Sequence, residues 1–341
     1  MSSSNLIITA SSVSNPENSN FEAGFQNSSR SALILGRVQV DNGILPFTVA
    51  PDCILDRATD QERDTLKELL RSRLPNSQFE NPFLQYEYEK ETVVSNETQS
   101  SWRWTQLDAK DWRYYVIRTP VTGYTSIWIG YASELCDTPF NNQGLSIHRG
   151  GAGWQDQIIN LMHLAVGTEK NVVLTAESLL QVTKVYTAIA NLLRPDRQPG
   201  THSVIEHALQ RLWLLNTQST GTLFEVLGLF AIIESLITHK PIDKGDSINH
   251  QITTKVALLS RRFDQPIPYD VYFGNTSPKK VWDKLYGYRS AVAHGSILTF
   301  EGEFKILRNA SHANEFLRKV THSLLRNSLN EHELYEDIRA C

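Results

Sequence analysis

An arginine and a histidine near the end of one predicted helix are the residues of this chain best suited to chemistry. They are Arg289 and His294, in the segment LYGYRSAVAHGS. A guanidinium is always charged and can hold a phosphate, whereas an imidazole can accept or donate a proton near neutral pH. Five residues on an α-helix correspond to about 140° of rotation, so the two side chains leave the helix on different faces. The spacing alone leaves open whether they form a site or are unrelated.

The helix that carries these two residues has a clear core face. Apolar side chains recur at helical spacing and predict the side that packs inward: Val281, Leu285, Tyr288 and Val292. Arg289 continues a second stripe, which is partly aromatic because it also contains Trp282 and Tyr286. The arginine is therefore expected at the border of the core.

His294 follows a different line on the same helix, one made of small residues. Its members are Gly287, Ser290 and Ala291, and such a line lets another backbone approach closely. Gly295 is well placed to end the helix, which puts His294 in the last turn, where the helix dipole favours a protonated imidazole. If two copies meet on this line about a twofold axis, each contributes its arginine and histidine to a shared cleft.

A glutamate in an earlier apolar helix is the third residue that could take part. In LFEVLGLFAIIESLI, Glu234 falls on the stripe formed by Leu227, Phe230 and Ile237. A carboxylate in an apolar stripe is costly unless it is paired or hydrogen-bonded. One interpretation makes Glu234 the partner that holds Arg289. The other makes it a structural ion pair, or a residue at the helix edge that reaches water.

Helices dominate the chain after about residue 170. VLTAESLLQVTKVYTAIANLL predicts one helix, which Arg194 and Pro195 end. Five further helices predict a compact bundle: HSVIEHALQRLWLLNTQ, GTLFEVLGLFAIIESLITHK, SINHQITTKVALLSRRF, SPKKVWDKLYGYRSAVAHG and SHANEFLRKVTHSLLRNSL. We expect caps at Ser247, at Ser277 followed by Pro278, and at Ser311.

The first 150 residues have a different pattern. SALILGRVQV and ILPFTVA predict a strand pair across Asp41, Asn42 and Gly43. TDQERDTLKELLRSRL predicts a helix with a buried stripe of Leu66, Leu69, Leu70 and Leu74. Four segments rich in Trp and Tyr predict strands: FLQYEYEKETVV, SSWRWTQL, WRYYVIRTPV and YTSIWIGYA. The glycine-rich segment NNQGLSIHRGGAGW predicts a solvated loop. The aromatic side chains could form a platform for bases or sugars, but packing within a sheet is the stronger interpretation.

Composition sets limits on the kind of protein. The chain has 341 residues, a net charge of −4 and three cysteines without a CxxC pair. The negative net charge gives no general electrostatic attraction to nucleic acid. The three unpaired cysteines fit free thiols in a reducing cytoplasm. The first 20 residues lack the basic start and apolar centre of a secretory signal, and no apolar run approaches the length of a membrane span. We expect a cytoplasmic protein.

Together these patterns predict an α+β fold with two main parts. A β-rich domain of unknown ligand occupies residues 1–150, of which the first 25 or so are expected to be flexible. A helical connector follows at 151–199, an all-α bundle at 200–330 and a C-terminal tail at 331–341.

The segment KLYGYRSAVAHG resembles the signature of the Apea-like group of HEPN domains (higher eukaryotes and prokaryotes nucleotide-binding). There an arginine and a histidine end a late helix, often as Tyr-x-x-Arg-Ser-x-x-x-His-Gly, which matches Tyr286, Arg289, Ser290, His294 and Gly295. FAIIESLI, with Glu234, also resembles the earlier helix of that family. The resemblance covers residues 200–330. Many members carry Asn or Asp directly after the arginine, where this chain has Ser290.

The resemblance implies a homodimeric, metal-independent endoribonuclease that acts in anti-phage defence or as a toxin. Arg289 and His294 would be catalytic, with Glu234, Ser290 and Tyr286 in support. Basic residues near them, Lys284, Lys280 and Arg262, would bind RNA, and no cofactor or metal is expected. The alternative is a non-catalytic dimerisation or nucleotide-binding module coupled to an N-terminal domain that senses a ligand. The net charge of −4 favours this alternative.

Overall fold

The protein has a β-rich N-terminal region and a helical C-terminal region, which confirms the predicted α+β class. The structure is a computed structural model. It describes residues 29–34, 36–73, 81–96, 99–120, 125–140, 145–148, 151–154, 172–193, 203–216, 222–241, 246–296 and 298–340. Within these residues, no helix is both long and apolar enough to cross a membrane.

The described strands form three sheets. They are β1 (Ser29–Leu33), β2 (Val38–Val40), β3 (Phe47–Ala50), β4 (Cys53–Arg57), β5 (Tyr88–Asn96), β6 (Gln99–Gln106), β7 (Tyr115–Pro120), β8 (Leu145–His148), β9 (Gly151–Trp154) and β10 (Val172–Leu174). The main sheet has the order β3-β4-β7-β1-β8-β9 and every pairing in it is antiparallel. β5 and β6 form a separate antiparallel ladder, and β2 pairs in parallel with β10.

The described α-helices belong mainly to the second half of the chain. They are α1 (Asp60–Arg73), α2 (Leu84–Glu87), α3 (Thr125–Glu134), α4 (Ala176–Leu192), α5 (Ser203–Asn216), α6 (Glu225–Ile237), α7 (Ile248–Leu259), α8 (Tyr269–Phe273), α9 (Pro278–Ala293), α10 (Ala310–Asn330) and α11 (His332–Ala340). The five helices predicted for the bundle are α5, α6, α7, α9 and α10.

The predicted strand pair across Asp41–Gly43 is wrong. The side chain of Asp41 accepts a hydrogen bond from the Gly43 N–H, and residues Asn42–Ile44 form a 3₁₀ turn between β2 and β3. The two strands enter different sheets, since β2 pairs with β10 and β3 pairs with β4. The turn residues therefore predict where the chain changes direction, but they do not predict which strands pair with each other.

Three other segments differ from their predicted structure. FLQYEYEKETVV, predicted as a strand, forms the short helix α2 before it continues as β5. YTSIWIGYA contributes to helix α3, whose Ile129 and Ala132 are fully buried and whose Tyr131 packs edge-on against Trp213. Aromatic and β-branched content favours strands only weakly, and contacts with distant helices outweigh it here. The glycine-rich segment predicted as a loop contains β8 and β9, which extend the main sheet beyond β1.

The helix predicted over TDQERDTLKELLRSRL is present as α1. Thr59 and Glu62 form reciprocal side-chain to backbone hydrogen bonds at its start, which is a capping box. Leu66 and Leu70 are buried as predicted, in a cluster with Leu33, Tyr86, Tyr114 and Val116 on one face of the main sheet. Leu74, which was assigned to the same stripe, lies outside the described residues.

The aromatic side chains of the N-terminal half mostly pack inside the protein. Tyr114, Tyr115 and Tyr131 are buried. Trp104 lies under the guanidinium of Arg37, and Trp112 lies near the ammonium of Lys67. These positions favour the packing interpretation over a binding platform; the side chain of Trp102 and all of Tyr124 lie outside the part that the structure describes.

A second, larger apolar cluster runs from the sheet to the bundle. It joins Leu55 and Ile117 of the sheet, Ile129 of α3, Val182 of α4 and Phe316 of α10. The regions predicted as 1–150, 151–199 and 200–330 therefore share one core, and the division into domains stays a prediction. α4 begins at Ala176, three residues after the start of the predicted segment, because Val173 and Leu174 belong to β10 and Thr175 and Ser178 form a capping box. The predicted stop at Arg194 and Pro195 lies beyond the described residues.

The ends of the bundle helices show which predicted caps operate. Ser247 caps α7, and Pro278 occupies the first turn of α9 after Ser277, whose side chain makes no capping bond. Asn309, not Ser311, caps α10, because its side chain accepts from the His312 N–H at 2.8 Å. The predicted tail at 331–341 contains α11, which packs on the bundle through the buried Tyr335.

Candidate functional site

Helix α9 carries the predicted site, and its core face sets the direction of every side chain on it. Val281, Leu285 and Tyr288 are fully buried, as their spacing predicts, and Val292 is half-buried. Trp282 on the second stripe is also buried and packs edge-on against Phe230 of α6. This packing holds α9 against α6 and leaves the next residues of the second stripe at the edge of the core.

Arg289 lies at this edge and contacts Glu234 of α6. Its Nη2 atom is 3.4 Å from Glu234 Oε1, so the ion pair predicted from the sequence is present. The arginine side chain is 32% exposed and the glutamate side chain 23% exposed. The guanidinium carbon also lies 5.7 Å from the ring centre of Tyr286, which is within reach of a cation–π contact.

The charge of Arg289 does not fully offset the cost of burying the Glu234 carboxylate. Burial raises the pKa of Glu234, and the nearby charge of Arg289 opposes that rise only in part. Within the described residues, Glu234 Oε1 and Arg289 Nε are buried without a hydrogen-bond partner. A separation of 3.4 Å is an ion pair rather than a tight bidentate fork. The guanidinium therefore keeps unsatisfied donors while a carboxylate holds it in place.

His294 lies at the end of α9 and is exposed. Gly295 has a φ of +66°, its N–H donates to Val292 O, and the Ser296 N–H donates to Ala291 O at 2.9 Å. These two bonds form a Schellman motif, so the predicted helix stop is present. The backbone N–H of His294 donates to Ser290 O. The imidazole thus projects from a well-defined helix end.

The line of small residues is partly covered by the chain itself. A Cβ atom on Gly287 would lie 3.4 Å from the ring of Phe304, a residue that is 8% exposed. Phe304 and Phe300 also pack edge-on against Tyr288. The small size of Gly287 is therefore used inside the chain, and its expected place near a dimer axis stays a prediction. The part of the line that stays more open is its end, from Ser290 to the exposed His294.

Two of the three residues predicted to bind RNA are paired with acids. Lys284 Nζ lies 3.0 Å from Glu303, and Arg262 Nε lies 2.6 Å from Glu331. Lys280 is exposed on the first turns of α9. The structure thus brings Arg289, Glu234 and Tyr286 together, leaves Ser290 and His294 further along α9, and places the predicted basic residues in ion pairs or in solvent.

Sequence reasoning missed polar clusters that join distant segments. His239 lies between Asp246, at 2.9 Å, and Lys255, at 3.1 Å, and the lysine also donates to the carbonyl of Ile338 in α11. Arg318 of α10 bridges the buried Glu225 and, at 3.4 Å, Glu134 of α3. No spacing signal could reveal these contacts, because their members come from separate elements.

Among the described residues, no group of three or more His, Cys, Asp and Glu side chains is placed to hold a metal ion. Comparisons of the chain with known protein families, with curated proteins and with solved structures find no match. A functional assignment therefore rests on the geometry of the site and on the sequence motif around it.

Proposed function

We propose that this protein is a metal-independent endoribonuclease of the HEPN type, acting as a homodimer in anti-phage defence or as a toxin. The observation that carries the proposal is the ion pair between Glu234 and Arg289, which lies five residues before the exposed His294 on α9. These are the residues that match the Apea-like HEPN signature. The proposal assigns catalysis to Arg289 and His294 and support to Glu234, Ser290 and Tyr286.

Arg289 would bind the scissile phosphate. Its guanidinium side chain is 32% exposed, so the part that faces solvent can donate to a phosphate, while its buried Nε atom takes no part. Fixed positive charge stabilises the charge that develops on the phosphoryl oxygens in the transition state. Glu234 acts as a positioning residue, because it restricts the rotation of the arginine side chain without touching the substrate.

His294 would move the proton. In RNA the 2′-oxygen attacks the phosphorus, the bond from phosphorus to the 5′-oxygen breaks, and the products carry a 2′,3′-cyclic phosphate and a 5′-hydroxyl. One imidazole removes the 2′-hydroxyl proton and a second can protonate the leaving 5′-oxygen. General acid–base help of this kind is typically worth about 10²–10⁴-fold. Single-stranded RNA is the expected substrate, because the 2′-oxygen must swing in line with the leaving group.

The helix geometry makes a second copy necessary for this mechanism. Arg289 and His294 are separated by about 7.5 Å along the axis of α9 and by about 140° around it. They converge on one phosphate only if the corresponding helix of another chain supplies the missing partner. Because Phe304 covers Gly287, such a contact would run through the last turn, from Ser290 to His294.

A non-catalytic dimerisation or nucleotide-binding module, coupled to a ligand-sensing N-terminal region, is the second candidate. The specific observation that favours it is the pairing of Lys284 with Glu303 and of Arg262 with Glu331. These ion pairs reduce the positive charge available to an RNA backbone, in a chain whose net charge is already −4.

The test is to incubate the purified full chain with mixed single-stranded RNA in excess chelator. His294→Ala and Arg289→Ala should each abolish cleavage while the fold is retained, since neither side chain lies on the core face. His250→Ala and Arg211→Ala are matched controls, because both side chains are exposed on other helices. If either site variant cuts RNA like the parent chain, the assignment of the site is wrong. A dimer that binds RNA without cutting it favours the second candidate, and a monomer at micromolar concentration contradicts the proposed homodimer.

A further inference from the structure

A cleft of about 680 Å³ opens beside α8 and α10, and it shares no residue with the site around Arg289. This volume lies in the range that small-molecule sites usually have, about 300–1,000 Å³. One wall is apolar and comes from α8 and the segment before it, with Pro266, Pro268, Val271 and Tyr272. Val271 is 70% exposed, so this wall presents apolar surface to whatever enters the cleft.

The opposite wall is polar and comes from one face of α10. His312, Glu315, Lys319 and Ser323 line the cleft and follow each other at intervals of three or four residues. This spacing places their side chains in a row on the same side of a helix. The two walls are tied together, since the Tyr272 hydroxyl donates to Glu315 at 2.6 Å.

His312 is oriented by the opposite wall. Its Nε2 atom lies 3.0 Å from the carbonyl oxygen of Tyr272. A carbonyl only accepts, so Nε2 carries a hydrogen and donates in this contact. The centre of the imidazole ring also lies 5.0 Å from the centre of the Tyr272 ring, and this contact restricts the rotation of the imidazole. The geometry leaves Nδ1 for another partner.

Arg308 completes the lining with a backbone conformation that side-chain-bearing residues rarely adopt. Its φ is +60° and its ψ −59°, and the Asn309 N–H donates to Leu307 O at 2.7 Å across it. This is a γ-turn of the rare, strained form. Glycine would take this conformation without strain, yet the chain has an arginine there. Strain of this kind often accompanies a functional requirement for the side chain.

The charged side chains that line the cleft indicate which class of ligand it would bind. Arg308 and Lys319 are both exposed, and neither forms an ion pair or a side-chain hydrogen bond within the described residues. Glu315 is the acid among the lining residues, and the Tyr272 hydroxyl already occupies one of its oxygens. Two cations without partners, next to an apolar wall, suit a dianionic group attached to an apolar or aromatic body.

We propose that this cleft binds a small phosphate monoester whose organic part is apolar or aromatic. The phosphate lies on Arg308 and Lys319, and the organic part packs on Val271 and the proline-lined wall. A polar substituent can donate to the free oxygen of Glu315. This site is independent of the proposed ribonuclease function.

The experiment uses the full chain and three probes measured by titration calorimetry: phenyl phosphate, inorganic phosphate and phenol. We expect phenyl phosphate to bind more tightly than inorganic phosphate, and phenol not to bind. Arg308→Gly should weaken phenyl phosphate binding by about tenfold or more, because a charge-assisted hydrogen bond is lost. The same variant should melt at a higher temperature than the parent chain, because glycine relieves the positive φ.

Lys319→Gln provides a second variant that leaves the γ-turn intact and should also weaken binding. Lys305→Ala is the matched control, because Lys305 is exposed near the cleft in sequence but does not line it. The proposal is overturned if the parent chain binds neither phosphate probe, if phenol binds as well as phenyl phosphate, or if both cleft variants bind phenyl phosphate like the parent. Retained binding in His294→Ala is expected, since that residue belongs to the other site.

Discussion

Replacing Arg289 by alanine should destabilise the protein at neutral pH, because it leaves a half-buried carboxylate without its cation. Glu234 is 23% exposed and its Oε1 atom is buried, with Arg289 Nη2 at 3.4 Å. Breaking a fully buried pair costs about 3–5 kcal/mol, whereas an exposed pair is worth about 0–1 kcal/mol. The burial of this pair is intermediate, so we expect a loss of about 1–2 kcal/mol in the free energy of unfolding.

Replacing Glu234 by glutamine should cost far less. The amide keeps the shape of the side chain and has no charge to desolvate, while Arg289 is exposed enough to turn toward water. We expect a change within about 0.5 kcal/mol. In the Glu234→Gln background, Arg289→Ala should then also be nearly neutral, because the unpaired carboxylate that caused its cost is gone.

The pH dependence gives this cycle a second readout. Burial raises the pKa of Glu234 above its unfolded value, which is about 4.3 for a glutamate. The stability contributed by the protonated form is therefore fully present below the unfolded pKa and is lost as the pH rises through the folded pKa. Removing Arg289 raises the pKa further, so the cost of Arg289→Ala should be visible at pH 7 and disappear near pH 4.

Urea unfolding of the full chain, followed by tryptophan fluorescence at pH 7 and pH 4, measures all four members of the cycle. The reasoning is refuted if Arg289→Ala costs the same with glutamate or glutamine at position 234. It is equally refuted if the cost at pH 4 equals the cost at pH 7. Either result would mean that the two side chains are neighbours without energetic coupling.

Three further predictions concern single residues. Gly295→Ala should cost about 1 kcal/mol because its φ is +66°, whereas Gly302→Ala, which has an ordinary φ, should be nearly neutral in the same urea assay. Gly287→Ala should leave stability equal or higher and leave the mass in sedimentation unchanged, because a Cβ fits at 3.4 Å from Phe304; a drop in mass would place Gly287 at an interface after all. Burial raises the pKa of Cys53 and of Cys136 to about 12, so in a Cys341→Ser variant neither thiol should react with a disulfide reagent at pH 8 before unfolding, and rapid labelling would contradict their burial.

Much of the candidate site follows from the sequence pattern. The spacing of Val281, Leu285 and Tyr288 predicts the buried face of α9, and the phase of that face puts Arg289 at its border. Glu234 is conspicuous as an acid in an apolar stripe, which makes its pairing with a cation predictable. The roles of Arg289 and His294 in catalysis stay predictions.

Other parts of the protein depend on contacts that no local pattern contains. YTSIWIGYA has the composition of a strand but folds as α3, because Ile129 and Tyr131 pack against distant helices. The glycine at position 287 suggests a close approach, yet only the fold shows that Phe304 makes it. Lys284 and Arg262 look like free cations until Glu303 and Glu331 are brought beside them.

The sequence by itself determined the features that arise within a few residues: the periodicity of α9, its start at Pro278 and its end at Gly295, which depend on helical repeat and backbone conformation. Only the tertiary structure decided which strand pairs with β2, what covers Gly287 and that Arg308 lines a cleft in a strained turn. These features depend on contacts between segments that are far apart in the chain. Burial of apolar surface across the whole core stabilises such contacts, and local residue preferences do not determine them.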